Sequence, residues 1–290
     1  MKDLLAKAEI LMEALPWIKE AWGRTVVIKY GGAAMTDPAL RDHVASDIVL
    51  MKLVGANPVV VHGGGPEITQ FMERLGLAVE FYDGLRVTSD EAMDVVKMVL
   101  VGKVNKELVS AINSHGRLAV GVSGEDGNLV QARCKDVRLG RVGEVTGVDT
   151  TVLDNLIDDG FIPVVATVAA GDDGGAYNVN ADLVAGELAA ALQADKVIFL
   201  TDVDGLYRDF SDKDSLISAL TPAQAEEMIM GDELEGGMVP KVAACVHALK
   251  GGVRRAHILN GTVPHAVLLE VYTDEGVGTM IAADTPGGEA

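Results

Sequence analysis

Thr25-Val26-Val27-Ile28-Lys29-Tyr30-Gly31-Gly32 and Pro58-Val59-Val60-Val61-His62-Gly63-Gly64-Gly65 enclose a stretch of helical period near 38–54, and a second such period follows near 66–75. Short β-branched runs alternating with longer helical periods read as parallel strands joined by helical crossovers. The rhythm loosens after this pair. A long helical segment from Ser89 to Ser114 precedes the strand Leu118-Ala119-Val120-Gly121-Val122, then a glycine- and charge-rich stretch over 124–147 that reads as hairpins, then a helix over 150–159. The cycle resumes with Phe161 to Ala169, a helix over 181–193, the strand Lys196-Val197-Ile198-Phe199-Leu200, helices near 222–230 and 239–250, and the strand Arg255 to Leu259. The predicted fold is α/β, a three-layer αβα sandwich around a central, mainly parallel sheet. No Ser/Pro/Gly linker divides it, so two lobes sharing one sheet are expected, 24–175 and 176–290, with the boundary near 171–177. Ahead of them, Leu4, Leu5, Ala8, Leu11, Met12 and Leu15 form one stripe of an amphipathic helix that ends before Pro16, within an N-terminal segment 1–23. The tail from Asp284 is expected to fray.

With 290 residues, 49% of them hydrophobic, the chain has the material for a large core. Its formal net charge of -19 opposes binding to nucleic acid or anionic lipid, and would repel a nucleotide as well. A nucleotide site must therefore gather positive charge locally, from a few lysines and backbone amides. Cys134 and Cys245 have no CxxC partner, so they read as buried free thiols rather than a disulfide or zinc framework. Asp3, Lys7, Glu9 and Glu13 interrupt the apolar residues of the N-terminus, and no apolar run reaches the ~18 residues of a membrane span. A soluble cytoplasmic protein is expected.

Three glycine clusters follow apolar strands: Gly31-Gly32, Gly63-Gly64-Gly65, and the looser run from Gly171 to Gly175. At the carboxyl ends of strands in an open α/β sheet, glycines let backbone N–H groups approach an anion. Lys29 ends an otherwise apolar strand, where a charge is costly unless it snorkels or meets that anion. Other anion and nucleophile motifs fail on spacing. Gly102-Lys103 lacks the rest of a Walker A loop, no GxGxxG is completed, and the glycines after His62 have no GxSxG nucleophile to serve. In Asp202-Val203-Asp204-Gly205 the glycine comes too early for an EF-hand, so no protein-held metal is assigned.

Five segments taken in order carry a resemblance: Lys29 to Gly32, His62 to Pro66, Gly84-Leu85-Arg86-Val87-Thr88, Asn178-Val179-Asn180-Ala181-Asp182, and Gly237-Met238-Val239-Pro240-Lys241. Together, over roughly 24–282, the chain resembles the N-acetylglutamate kinases of the amino-acid kinase superfamily. The resemblance implies ATP-dependent phosphorylation of the side-chain carboxylate of N-acetyl-L-glutamate, a step of arginine biosynthesis, with MgATP as co-substrate. It implies that Lys29 and Lys241 contact the transferring phosphoryl group, that Asp182 holds both lysines, and that the Gly32 and Gly64 amides cradle the same oxygens. For the amino acid it implies Gly63, Gly64, Arg86, Asn178 and Asn180. For the nucleotide it implies Lys29, Gly31, Gly32, Thr201, Asp202, Asp204, Gly205, Leu206, Tyr207 and Lys241. The chemistry suits these residue types: a metaphosphate-like group needs aligned donors, and a carboxylate acceptor, already ionised near pH 7, needs no general base. Asn180 also stands where it would cap the helix over 181–193.

The N-terminal helix and the stretch from Tyr272 to Met280 resemble those of arginine-inhibited members. This implies feedback by arginine at Lys196, His257, Glu270 and Gly276, and a hexamer assembled as a trimer of dimers through the N-terminal helix. Whether a nitrogen-signalling PII protein binds stays open. So do two other readings: a sister kinase for aspartate, glutamate, carbamate, UMP or N-acetyl-aminoadipate, and a catalytically silent arginine-sensing subunit.

Overall fold

The structure is a computed structural model and describes residues 9–32, 35, 37–231, 234, 237–273 and 276–283. Leu4, Leu5 and Ala8 of the predicted stripe, Asp274 and Glu275, and the tail from Asp284 lie outside the described residues. Residues 9–13 are helical, and after a turn at Ala14 comes helix α1 (Leu15–Ala21). The sequence expectation ended this helix before Pro16. Instead Pro16 opens α1 in its first turn, where a missing N–H costs nothing.

Strand β1 (Thr25–Tyr30) leads through α2 (Pro38–Leu53) to β2 (Asn57–His62) and α3 (Gly65–Arg74). A small hairpin, β3 (Phe81–Tyr82) and β4 (Leu85–Arg86), precedes α4 (Asp90–Lys97). The long helical segment expected over 89–114 is then broken by a π-helical stretch, Met98–Val104, before α5 (Asn105–Asn113). Next come β5 (Ala119–Gly124), the antiparallel pair β6 (Val130–Cys134) and β7 (Gly143–Val148), α6 (Thr151–Asp158), β8 (Ile162–Gly171) and β9 (Ala176–Asn178). The remainder runs α7 (Ala181–Ala191), β10 (Lys196–Thr201), the pair β11 (Leu206–Tyr207) and β12 (Leu216–Ile217), and β13 (Ala219–Leu220). It closes with α8 (Pro222–Met230), α9 (Met238–Lys250), β14 (Arg255–Asn260), α10 (Ala266–Tyr272) and β15 (Thr279–Ala282).

One sheet holds most of these strands, in the order β13-β15-β14-β10-β1-β2-β8-β6-β7, with β5 and β9 also paired to β8. Its central pairs, β10 to β1, β1 to β2 and β2 to β8, are all parallel. Successive side chains of a strand point to opposite faces, and the two cores obey this period. Val27, Val59 and Val61 pack on one face with Val184, Leu188 and Val242 of α7 and α9. Val26, Ile28, Tyr30 and Val60 pack on the other with Ile48, Leu108 and Val267 of α2, α5 and α10. The result is the αβα sandwich expected from the sequence.

The same alternation governs the polar residues at the strand ends. Lys29 shares the face of Val27, toward α7 and α9, whereas His62 shares the face of Val60, toward α5. Two expectations fail here. Cys134 is exposed rather than buried, because it lies on the β6–β7 hairpin, where alternate side chains meet solvent; only Cys245 is buried. The run from Gly171 to Gly175 makes no anion cradle. It is the tight β8–β9 connection, closed by Gly171 N–H to the Gly175 carbonyl (2.8 Å) and Gly175 N–H to Asp173 Oδ1 (3.0 Å).

Candidate active site

β1 is flanked by β2 on one side and β10 on the other, so the turns after these three strands meet at one edge of the sheet. That edge, where strand order reverses, is where open α/β sheets hold ligands. Gly32 adopts φ +70°, a conformation that favours glycine, and a Cβ there would lie 3.7 Å from Asp202 N. At Gly64 the constraint is space: a Cβ would stand 2.7 Å from Leu100 Cδ2. Among the described residues the Gly32 and Gly64 amides donate to no protein acceptor.

Beneath these turns Asp182, in the first turn of α7, lies between two lysines. Its Oδ2 accepts from Lys241 Nζ at 3.0 Å, and its Oδ1 forms an ion pair with Lys29 Nζ at 3.0 Å. Lys29 and Asp182 are buried, with 7% and 5% of their surfaces exposed. Burial draws the Lys29 ammonium below the usual lysine value, and Lys241 adds to this while Asp182 opposes it. Burial also works to raise the Asp182 carboxyl, yet the charges of Lys29 and Lys241 hold it below the ordinary carboxylate range. In this cluster two ammonium groups face one carboxylate, with Asp202 acting more weakly on Lys29.

Two clefts open beside this cluster. The larger, about 620 Å³, is walled by Thr201, Asp202, Gly205, Leu206, Tyr207 and Lys241. The smaller, about 260 Å³, contains Lys29, Gly63, Gly64, Arg86, Asn178 and Asn180, with Gly31, Gly32 and Asp182 at its wall. Gly31 and Gly32, expected on the nucleotide side, thus line the smaller cleft. Asp204 lines neither. Its carboxylate accepts from Asn260 Nδ2 and from the Tyr207 hydroxyl, both at 2.7 Å, which holds the loop after β10 in shape.

Arg86 is buried, donating through Nη2 to the Gly65 carbonyl (2.9 Å) and Thr69 Oγ1 (2.6 Å), with the guanidinium over the Phe81 ring. Among the described residues no carboxylate lies within ion-pair distance of it, and burial lowers its affinity for the proton. A buried guanidinium without a counter-ion is prepared for an anionic ligand. Asn180 caps α7, its Oδ1 accepting from Asp182 N (2.8 Å) and Leu183 N (3.2 Å), which leaves its amide nitrogen outside the cap. Asn178 Nδ2 makes a long contact to Thr88 Oγ1, 3.4 Å.

Sequence reading overlooked several walls of these clefts. Thr167, the lone polar residue of an apolar β8, lines the smaller one, and its isolation was a readable signal. Phe210 and Leu234 stand on the apolar side of the larger one, and nothing in their local sequence marks them, whereas Met238 beside them belongs to the segment Gly237 to Lys241.

Residues 24–260 match the model of the amino acid kinase family. The chain belongs to that family. This amino acid kinase is 52% identical over 285 residues to the acetylglutamate kinase of Caldanaerobacter subterraneus subsp. tengcongensis, an alignment covering 97% of this chain and 95% of the relative. To the acetylglutamate kinase of Trichormus variabilis it is 54% identical over 276 residues, covering 95% and 93%. Among solved structures, N-acetylglutamate synthase from Neisseria gonorrhoeae, complexed with coenzyme A and N-acetyl-glutamate, superposes with a TM-score of 0.84 at 25% identity. The superposition covers 96% of this kinase and 64% of the synthase chain, so this kinase spans less than two thirds of that protein.

At the opposite end of β10 lies a second polar group. Lys196 is 3.2 Å from Asp195 Oδ2 and 3.9 Å from Glu20 Oε1 of α1. On the neighbouring strand β14, His257 Nδ1 meets Glu270 Oε1 at 2.7 Å, and Glu270 Oε2 accepts from Val277 N at 2.8 Å. Ile198 pairs with His257, which makes Lys196 its diagonal neighbour on the same face. A Cβ on Gly276 would come within 3.0 Å of Glu270 Oε2, so Lys196, His257, Glu270 and Gly276 fall in one region. Among the described residues no helix is long and apolar enough to cross a membrane.

Proposed function

We propose that this chain transfers the γ-phosphoryl group of MgATP to the side-chain carboxylate of N-acetyl-L-glutamate, forming N-acetyl-L-glutamyl 5-phosphate and ADP. A carboxylate oxygen bonds to the γ-phosphorus as the bond to the β,γ-bridging oxygen breaks, and the electron pair leaves with ADP. The observation that carries this reading is the buried Lys29–Asp182–Lys241 cluster set between a cleft of about 620 Å³ and one of about 260 Å³. The larger has the size for a nucleotide and the smaller for a short dicarboxylic amino acid. In this reading Lys29 and Lys241 spread their charge over the migrating group, and the Gly32 and Gly64 amides hold its oxygens. Asp182 keeps both ammonium groups in register. Arg86 takes the α-carboxylate of the substrate, and the Asn178 and Asn180 amides take its remaining polar atoms. Mg²⁺ belongs to the co-substrate, carried on its phosphates. Residues 24–175 would serve the amino acid and 176–290 the nucleotide.

The finer proposals concern control. Arginine would bind near Lys196, His257, Glu270 and Gly276, where buried charges of both signs match a zwitterion. Support for assembly comes from Ile10, Leu11 and Met12, which are 64%, 73% and 65% exposed on a helix and call for a covering surface. A second copy of the chain, in a hexamer built as a trimer of dimers, is the proposed cover, and the cytoplasm the proposed compartment. Hydroxamate trapping tests the activity: acetylglutamate, MgATP and hydroxylamine should give the acyl hydroxamate. Product from aspartate, glutamate or carbamate but none from acetylglutamate would remove the assignment.

A further inference from the structure

His62 is wholly buried, on the face of the sheet opposite Lys29, and the mechanism above leaves it unused. Its ring is nonetheless engaged at both nitrogens. Nδ1 lies 2.8 Å from the carbonyl oxygen of Gly63, which can only accept, so Nδ1 carries the proton. Nε2 then accepts from Asn105 Nδ2 at 3.1 Å. Asn105 is itself fully buried: the same Nδ2 donates to the Val164 carbonyl at 2.9 Å, and Oδ1 accepts from Lys106 Nζ at 3.2 Å. This chain of contacts selects one tautomer of the imidazole. Burial, the dominant influence, pushes the imidazole pKa down to about 4, so His62 stays neutral through the physiological range.

The bond from His62 Nδ1 fixes more than a ring. A trans peptide is planar, with its C=O and N–H antiparallel, and the Gly63–Gly64 peptide is trans. Drawing the Gly63 carbonyl toward His62 therefore turns the Gly64 N–H the other way, toward the face that carries Lys29 and Asp182. Glycine at positions 63 and 64 leaves this peptide free to rotate unless something holds it. The π-helical stretch adds a second restraint. Its wide turn brings Leu100 and Val104 against Gly64, where a Cβ would lie 2.7 Å and 3.2 Å from them, and delivers Asn105 to His62 at its end.

We infer that His62, oriented by Asn105, is a positioning residue that aims the Gly64 amide at the transferring phosphoryl group. The inference rests on the role proposed above for that amide. His62 touches neither substrate, and its effect passes through one peptide plane. Misaiming a preorganised donor raises the barrier of the chemical step and leaves ground-state binding largely intact.

Two isosteric variants separate positioning from packing. In His62→Asn the amide nitrogen takes the place of Nδ1 and can still donate to the Gly63 carbonyl. In His62→Gln the amide oxygen takes the place of Nε2 and keeps only the contact to Asn105. With ADP release followed at saturating substrates and rates referred to folded protein, H62Q is expected to lose roughly 10²-fold in kcat with KM for both substrates nearly unchanged. H62N should stay within about fivefold of wild type. Equal kcat values for the two variants, or a greater loss in H62N, would overturn the inference. A readout free of mutation is ¹⁵N NMR of the imidazoles in the wild-type protein. It should show a His62 with Nδ1 protonated, Nε2 bare and no titration near neutral pH, and an Nε2-protonated or titrating ring overturns the arrangement. Wild-type protein that releases no ADP with acetylglutamate counts against the proposed reaction instead, and the tautomer measurement then decides on His62 alone.

Discussion

Replacing Asp182 by asparagine removes one negative charge from between two ammonium groups while keeping the side chain's shape. Asp182 approaches Lys29 Nζ and Lys241 Nζ to 3.0 Å each. At an effective dielectric of about 20, unit charges ~4 Å apart attract by about 4 kcal/mol, and the desolvation of buried ions takes back a large part of that. A residual loss on the order of 3 kcal/mol in alignment and charge balance corresponds to about 10²-fold in kcat. The pH dependence is the sharper signature. Burial and Lys241 lower the Lys29 pKa, while Asp182 and, more weakly, Asp202 raise it. Without Asp182 the lowering influences act against Asp202 alone. Lys29 must be charged to act, so activity falls as pH rises through its pKa, and in Asp182→Asn this alkaline limb moves to lower pH. The stability sign is opposite in direction. The Asp182 carboxyl is held below its ordinary range, so its contribution is present above the unfolded-state pKa of about 3.9 and is lost as pH falls through the folded value. The asparagine variant lacks that acid-side loss. ADP release between about pH 6 and pH 10 measures the first effect, and thermal unfolding from about pH 7 down to about pH 2 measures the second. A variant within about threefold of wild type in kcat, with an unmoved alkaline limb, refutes the idea that this carboxylate holds two working lysines.

Arg86→Lys keeps the charge but loses the fork, and should raise KM for acetylglutamate about tenfold or more while KM for ATP holds; a rise confined to ATP would contradict the assignment of Arg86 to the smaller cleft. Gly64→Ala forces a Cβ to 2.7 Å from Leu100 Cδ2. It is expected to cost about 1–3 kcal/mol in urea unfolding and to lower kcat, and a variant as stable and active as wild type would show that the loop has room to spare. Deleting residues 1–22 removes Ile10, Leu11 and Met12 with α1, and also Glu20, which is 3.1 Å from Arg255 and 3.9 Å from Lys196. Sedimentation should show a dimer that remains active with a weakened arginine response, and an unchanged oligomer would count against the N-terminal helix as its glue.

Runs such as Thr25 to Lys29 and Pro58 to His62 appear as strands where their composition placed them, because short β-branched segments between helical periods have few other packed solutions. The start of α7 was legible from a local signal, since Asn180 accepts from two amides there, whereas the Thr221 capping box at the start of α8 emerged only in the structure. The π-helical stretch over Met98–Val104 was not legible, since its apolar spacing satisfies an ordinary helix. Nor was the exposure of Cys134, which depends on which face of a hairpin reaches solvent. Asp204 looked like a cleft residue beside Asp202, yet its partners Asn260 and Tyr207 turn it into the scaffold.

By itself the sequence determined the αβα class, the positions of the glycine turns and the presence of a lysine at the end of an apolar strand, because these follow from periodicity and the local geometry of glycine. Tertiary structure decided which groups meet. Parallel pairing of β1 with both β2 and β10 brings the three turns to one edge, and side-chain alternation sends Lys29 to Asp182 on one face and His62 to Asn105 on the other. Residues distant in the chain acquire a common electrostatic field only when folding removes the water between them, and no local pattern records that distance.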